Sequence, residues 1–570
     1  MNTKRITADI TNKPIYVWGT GKYAKNFMER LAAYEKYCFL LGYKPADSII
    51  AFIDGNVDKQ GGLFYQKPVI SVDEAIRSGM KACIVAVLDH SEIDQALEEK
   101  GIANYFFYEE YLNAVKNRIL EEKEAILSNH KSGLPDLMRN NLEIAGRLEN
   151  WKTTDSDIEY FDRLRSEYSD ADLVAAFSWF FGNDIVFLSD FFTREYETKN
   201  DHEAIRTIGI MADRFYGGGI EKVLALLIPM LEKDGFRIVL ITDENEPSKD
   251  YQTSGTTIRY HMRNDHDAPC FDRIRELGEC VDNYDIDVMC FHFGYTRIST
   301  FYEMLYLRMK GMPVVMELHS NYIPIVHNKE QVSKYFPYMY RIANRIIVLS
   351  RADADYWSGY GCNCTYIQNP VEDKKYIPNP YKYSKTIIWV GRIVQQPKQV
   401  MDVIPIMKAV KRSVSEAKLY IIGNPDSDYV MRNLKQGIID NELEDQIEIC
   451  PYSTRIEEYY QSADIILLTS ANESFSNVIQ ESKVYGVPLV MYKLPWLELL
   501  RDGKGFIAVD QNDTEAAGRA IVRLLSDENL RESLARDARE SILPFLTHDV
   551  GGDWKRLFEE ILSENGRDGN

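Results

Sequence analysis

The sequence predicts an α/β protein built of several parallel sheets, each wrapped by helices. Three observations carry that expectation. Short apolar runs alternate with amphipathic helical stretches along most of the chain, the pattern of parallel strands joined by helical crossovers. The runs, such as DIILLTS and TIIWVGR, are apolar throughout and do not alternate with polar residues, which marks strands buried on both faces. A chain of 570 residues is also too long for one hydrophobic core, so three or four units of about 100–200 residues are expected.

Taken in order, residues 1–112 should form a first α/β domain with strands PIYVWG, SIIAFID and KACIVAV. Residues 113–204 read as a helical spacer that packs on its neighbours, opening with NRILEEKEAILSNHKSG and carrying an aromatic stretch, FSWFFGNDIVFLSDFF. A second α/β region, 205–383, should place strands at RTIGIMAD, FRIVLITD, DVMCFHF, PVVMELH and RIIVLS. A third, 384–545, should place them at TIIWVGR, KLYIIG, DIILLTS and VPLVMY, and a last helix in 546–570, DWKRLFEEILSE, should fold back on one of the lobes.

Bulk composition narrows the function. The net charge of -20 argues against general nucleic-acid binding, which needs a basic face. No run reaches the ~20 apolar residues of a membrane-crossing helix, and the start, MNTKRITADITNKP, lacks the apolar core of a signal peptide. The cysteines, at 38, 83, 270, 280, 290, 362, 364 and 450, sit mostly inside apolar runs. They read as reduced core residues of a cytoplasmic protein, with contacts at the inner face of a membrane or with a second copy left open.

The most informative stretch is DIILLTSANESFSNVIQESKVYGVPLVMY. A buried strand should end near Ser470, a polar loop should carry Glu473, and a helix should begin near Ser476. Ligands of open parallel sheets bind at the carboxyl ends of strands, where Glu473 falls. The N–H groups of the segment Ser474, Phe475, Ser476 and Asn477 lie at a helix N-terminus, a seat for phosphate. Glu473 and Glu481 stand eight residues apart, about 12 Å along a helix at ~1.5 Å per residue. Cooperating glycosidase carboxylates need roughly 5 Å. Two grips on one extended ligand fit better, and a nucleotide sugar is such a ligand.

This stretch resembles the Glu-x7-Glu motif of the family 4 retaining glycosyltransferases, with Ser474 and Ser476 where that family commonly has glycines. The resemblance implies a GT-B fold of two Rossmann-like lobes facing a cleft, Glu473 on the donor sugar and Glu481 on the ribose hydroxyls. TIIWVGRIVQQPKQV resembles the family's strand and Gly-Arg…Lys element, which implies Gly391, Arg392 and Lys398 at the donor diphosphate; the Arg-to-Lys spacing is one residue longer than the commonest form, and Gln399 replaces a glycine. MADRFYGGGIEKV resembles its Gly-Gly-x-Glu element, here Gly218, Gly219, Ile220 and Glu221. His319, ending PVVMELH, matches a family histidine near the donor sugar. Gly423 and Tyr452, in KLYIIGN and IEICPYS, should line the base pocket. No second His or Asp is seen at ligand spacing from His319, and DSD at 426–428 reads as a solvated loop, so no metal is expected. No cofactor is expected either, the nucleoside diphosphate sugar being the donor substrate.

In the first domain Gly19-x-Gly21-x-x-Ala24 follows a strand and opens a helix, and Asp54 ends the next strand, the shape of a dinucleotide fingerprint. Asp54 lies 33 positions after Gly21, against the usual ~20. The region resembles the nucleotide-sugar-binding domains of bacterial sugar acetyltransferases. Gly19, Gly21 and Asp54 are therefore candidate ligand contacts, and a domain kept for packing or dimerisation is the equal alternative. The resemblances together imply a retaining, metal-independent hexosyl or N-acetylhexosaminyl transferase, UDP-dependent, acting on a glycan or lipid-linked glycan acceptor of a bacterial surface polysaccharide. A non-catalytic sugar-nucleotide sensor and a nucleotide-sugar 2-epimerase are the rival readings.

Overall fold

The computed structural model describes residues 13–38, 40, 42, 44–87, 91–102, 104–130, 133–148, 157–180, 185–196, 204–264, 270–294, 296–327, 334–374, 384–453 and 455–565. The opening segment, residues 1–12, lies outside them. The chain forms two compact units: Met1–Glu197 with Met262–Asn283 and Ile298–Lys310, and Thr198–His261 with Tyr284–Arg297 and Gly311–Asn570.

In the first unit lie β1 (Ile15–Trp18), β2 (Ile49–Ile53), β3 (Leu63–Phe64), β4 (Lys67–Ile70), β5 (Cys83–Val85) and β6 (Tyr105–Phe107), in the order β3-β4-β2-β1-β5-β6. Every pairing is parallel except the β3–β4 hairpin. Phe27, on the helix Lys22–Cys38, meets Tyr108 and Tyr111 edge-on at 6.3 and 5.9 Å, closing the core over β1. Several aromatic residues of the helical stretch form a core: Phe161, Phe177, Phe191 and Phe192 are buried, and Phe161 contacts Phe191, Phe192 and Tyr196 at centroid distances of 5.4, 5.2 and 4.8 Å. Two helices that lie in the sequence among the strands of the second sheet, Cys270–Tyr284 and Ile298–Met309, pack into this unit. A fully buried Arg273–Glu303 ion pair joins them, and Arg275 reaches Asp172 at 3.1 Å while Arg165 donates to the Met309 carbonyl at 3.0 Å.

The second unit holds two sheets. One comprises β7 (Thr207–Ala212), β8 (Arg237–Thr242), β9 (Ile258–His261), β10 (Val288–Phe293), β11 (Val314–Leu318), β12 (Arg345–Val348) and β13 (Cys364–Tyr366), ordered β13-β12-β11-β10-β7-β8-β9. The other comprises β14 (Thr386–Val390), β15 (Lys418–Ile422), β16 (Ile447–Cys450), β17 (Ile465–Leu468), β18 (Leu489–Tyr492) and β19 (Phe506–Val509), ordered β16-β15-β14-β17-β18-β19. All neighbours in both sheets are parallel. Every residue of β7, β10, β11, β12, β17 and β18 is buried, which explains why these strands read as largely apolar runs. Both sheets reverse direction of winding beside their first strand, so the chain ends of β7 and β14 open crevices where ligands of such sheets bind. The last helix, Val550–Asn565, puts Trp554, Leu557, Phe558 and Ile561 into the core of the β7 sheet, with Phe558 5.5 Å from Phe236. Among the described residues no helix is long and apolar enough to cross a membrane, and all eight cysteines are free.

Candidate active site

The loop after β17 is anchored before it reaches Glu473. Thr469 donates to the Lys398 carbonyl at 2.7 Å and accepts from the Trp389 indole at 2.9 Å, and the Ala471 N–H donates to the Pro397 carbonyl at 2.8 Å. These bonds hold two loops side by side, and their side chains converge. The Glu473 carboxylate accepts from Lys398 Nζ at 2.6 Å and from Ser470 Oγ at 2.7 Å, with only 11% of its side chain exposed. Its carbonyl accepts from Asn321 Nδ2 at 2.6 Å and from Trp496 Nε1 at 2.9 Å, and Asn321 also donates to Asn472 Oδ1 at 2.6 Å. Asn321 follows β11, so the loop is clamped from the opposite lobe.

The helix Asn477–Tyr485 begins at Ser476, in extended conformation, and stops at Gly486, whose φ of 63° is the left-handed cap glycine accepts readily. Ser476 Oγ is buried with no hydrogen-bond partner. A buried orphan hydroxyl at a helix N-terminus costs about 1–3 kcal/mol unless a ligand meets it. Phe475 is turned into the core against Phe545, at 6.1 Å. Ser474 stays partly exposed.

Across the cleft, Gly217, Gly218 and Gly219 lead into the helix Gly219–Lys233. Gly217 has φ +72°, a conformation glycine adopts readily, and a Cβ at Gly218 would stand 2.0 Å from Glu221 Oε2, so the Glu221 carboxylate folds over the turn in the space glycine leaves. Glu221 accepts from Arg214 at 3.0 Å, yet burial raises its pKa. A Cβ on Gly219 would lie 3.4 Å from Asn477 Nδ2, so the two helix starts face one another. One residue further on, Lys222 donates to the Glu481 carboxylate. Lys222, Leu226, Pro370, Lys374, Asn477 and Glu481 line the cavity between the lobes.

Arg392 is 63% exposed and faces Asp426 at 3.5 Å, and a Cβ on Gly391 beside it would lie 3.8 Å from Lys398 Cε. Asp426 is thus an ion-pair partner and its neighbour Ser427 caps the helix Asp428–Asp440. Gly391 and Gly423 end β14 and β15 in close contact: a Cβ on Gly423 would fall 1.8 Å from the Gly391 carbonyl oxygen. Tyr452 is half exposed and acts on the Tyr251 hydroxyl, which burial pushes up to about 12. In the first unit Gly19 has φ +120°, and a Cβ there would lie 2.6 Å from the Ala86 carbonyl, while Gly21 has open space. Asp54 is occupied by Thr20, just after β1, and by its own loop, accepting from the Asn56 N–H at 2.9 Å and from Lys59 at 3.2 Å.

The expectation that no second ligand type approaches His319 is corrected. His292 Nδ1 lies 3.3 Å from His319 Nε2, and Glu317 stands beside both. Spacing along the sequence missed this because His292 comes from the neighbouring strand. Burial holds His319 down to about 4, so it is neutral near pH 7. Sequence reading also missed Ser470, Lys222 and Asn321. Lys222 directly follows Gly218-Gly219-Ile220-Glu221 and Asn321 lies two residues beyond His319, and those positions were the available signals.

Comparison with known proteins bears on the fold and the family of the second unit. Residues 217–375 match the model for Glycosyltransferase Family 4, and residues 384–527 match that for Glycosyl transferases group 1. The chain is 31% identical over 182 residues to an exopolysaccharide phosphotransferase of Streptomyces coelicolor, covering 31% of this chain and 19% of that protein. It is 26% identical over 217 residues to the amylovoran biosynthesis glycosyltransferase AmsD of Erwinia amylovora (36% and 60%) and 25% identical over 236 residues to the poly(glycerol-phosphate) alpha-glucosyltransferase of Bacillus subtilis (38% and 34%). The chain therefore spans from a fifth to three fifths of the length of these relatives. Anabaena HepE in complex with UDP and glucose superposes with a TM-score of 0.53 at 17% identity, covering 62% of this chain and 100% of that one. The S. aureus protein TarM, in complex with Fondaparinux, alpha-GlcNAc-glycerol and UDP, also gives 0.53, at 13% identity, with 62% and 100% covered. The second unit thus matches these two glycosyltransferase family models and has a GT-B fold, and the chain adds a further Rossmann-like sheet before it.

Proposed function

We propose that the chain transfers a hexosyl or N-acetylhexosaminyl group from a nucleoside diphosphate sugar, UDP being the favoured carrier, to a hydroxyl of a glycan or lipid-linked glycan. The anomeric configuration is retained and no metal is required. The observation that carries this reading is the convergence of Lys398, Ser470 and Glu473 beside a helix N-terminus with an unsatisfied buried hydroxyl, Ser476. An acidic hydroxyl grip, a cation and free N–H groups within one loop pair suit a sugar joined to a diphosphate.

In this reading Glu473 holds donor sugar hydroxyls and Lys398 lies between it and the diphosphate. Arg392, Gly391 and the N–H groups of Ser474, Phe475, Ser476 and Asn477 receive the phosphate oxygens. Glu481 takes the ribose hydroxyls once Lys222 releases it, and Gly423 and Tyr452 border the base. Gly218 and Gly219 let the acceptor-side backbone approach the phosphates, and neutral His319 donates or accepts at the sugar. The bond from the anomeric carbon to the diphosphate oxygen breaks with its electron pair leaving on the diphosphate. The acceptor oxygen bonds the same face of that carbon, and its proton passes to the departing phosphate oxygen. Fixed cations at the leaving group lower the barrier as its charge grows. Retention without an enzyme nucleophile agrees with Glu473, whose carboxylate is engaged by Lys398 and Ser470.

The polymer-synthesis relatives suggest a bacterial surface polysaccharide or glycopolymer as acceptor. The test is nucleoside diphosphate release from a panel of nucleotide sugars with and without chelator. Chelator-insensitive release with one donor is expected; no release from any donor despite tight binding would favour a sensor and overturn the transferase.

A further inference from the structure

β10 and β11 run parallel in a register that sets His292 opposite Glu317, so the two side chains share a face, and His319, two residues beyond Glu317, continues that face at the strand ends. The His319 N–H, donating to the Phe293 carbonyl at 3.1 Å, keeps the last turn of this register. One ligand atom of each residue can be chosen so that all lie within 4.8 Å of one another. His292 Nδ1 is 2.9 Å from Glu317 Oε2 and 3.3 Å from His319 Nε2, and His319 Nε2 is 3.8 Å from Glu317 Oε1. Donor atoms around a four-coordinate ion bound at ~2.0–2.1 Å stand roughly 3.3 Å apart, so the trio spans such an ion with small side-chain shifts.

As a hydrogen-bonded network the trio is poor. Glu317 Oε2 is buried without a hydrogen-bond partner, its close approach to His292 being off the bonding angle, and His292 Nε2 is buried without one. The side chains of His292, Glu317 and His319 are 0%, 4% and 5% exposed, so water does not make up the deficit at the surface. A buried carboxylate oxygen left without a donor is costly, and a cation shared with the imidazoles removes that cost. Trp554 stacks over His292 at 5.7 Å and fixes its ring.

We propose that His292, Glu317 and His319 bind a divalent transition-metal ion of zinc type, and that an ion held there withdraws His319 from the donor and blocks transfer. Two imidazoles and one carboxylate select zinc-like ions over magnesium or calcium, which prefer all-oxygen sites. The binding half stands on this geometry alone. The inhibitory half rests on the reading of the cleft as a donor site, and it is compatible with metal-free catalysis because the ion is an inhibitor.

The test uses the full chain, stripped with chelator and titrated with zinc or cobalt. One equivalent of zinc by native mass spectrometry, and visible bands of low-symmetry cobalt, are expected, both lost in His292→Ala and Glu317→Gln. No bound equivalent, or an equivalent retained in both variants, overturns the site. His292→Asn, folding checked by circular dichroism, repeats the measurement should the alanine variant misfold. In the release assay zinc should suppress turnover of the wild type and chelator should restore it. Zinc bound at the trio with turnover unchanged overturns the inhibitory half. A chain that turns over no donor at all fails the transferase reading and leaves the binding result legible.

Discussion

Asp54 in the first unit and Glu473 in the second both stand shortly beyond a parallel strand, and they are satisfied in different ways. The partners of Asp54 are the hydroxyl of Thr20 at the end of β1 and two groups of its own loop, Asn56 and Lys59. The Glu473 carboxylate is met by Ser470, three residues away, and by Lys398, 75 residues away, while its backbone carbonyl is held by Asn321, 152 residues away. The glycines differ likewise. Gly19 is required because the Ala86 backbone leaves no room for a side chain, whereas a side chain at Gly218 would meet only the movable end of Glu221, which folds over a cleft-facing turn. A fingerprint whose polar groups close on themselves describes a turn; one whose groups are drawn together from distant elements describes a site.

The largest effect that separates the two regions is kinetic. Glu473→Gln or Lys398→Ala should lower transfer about 10²–10³-fold, the range for a group aimed at developing charge, and far more than Asp54→Asn in the same release assay. Equal losses would erase the distinction. Next comes stability of the first unit. Gly19→Ala should cost about 1–3 kcal/mol, from its backbone angle and the close carbonyl, and Gly21→Ala within about 0.5 kcal/mol, read from denaturant midpoints. A smaller effect lies at the lobe contact. Lys222→Met should lower donor KM several-fold by freeing Glu481, and Glu481→Gln should raise it, while removal of this partly exposed pair changes stability by less than about 1 kcal/mol.

Acid sharpens the contrast further. His319 titrates near 6.5 when unfolded and about 4 in the fold, so its contribution is present above 6.5 and lost as pH falls towards 4. Asp54 is held below its ordinary 3.8, so its contribution is lost only at lower pH. Asp353, raised to about 6 by burial, acts in the opposite sense, strengthening the fold as it protonates. The second unit should therefore lose the His319 share first on acidification, and His319→Gln should flatten the 6.5-to-4 limb of a fluorescence-monitored stability profile. An unchanged limb would remove His319 from the account.

Much of the fold was legible because strands buried on both faces cannot hide: TIIWV, DIILL and PVVMEL contain almost nothing but apolar residues. The edge strands β3, β6, β9, β13 and β19 were not, since their residues are half-buried or exposed and carry neither a long apolar run nor clean alternation. At the site, Glu473, Glu481, Lys398 and the Gly218–Gly219 turn could be named from local motifs. Lys222, Asn321 and the approach of His292 to His319 could not, because each acquires its meaning from a partner on another strand or lobe. Arg392 was named from its motif, but its present partner, Asp426, comes from a loop read as solvated.

Hydrogen exchange of the full chain, with and without a UDP-sugar, tests the central claim most directly. Protection is expected in 469–485 and 217–223, with 19–25 and 53–60 unchanged. Protection confined to 19–25 and 53–60 would contradict the account and move the nucleotide site to the first unit.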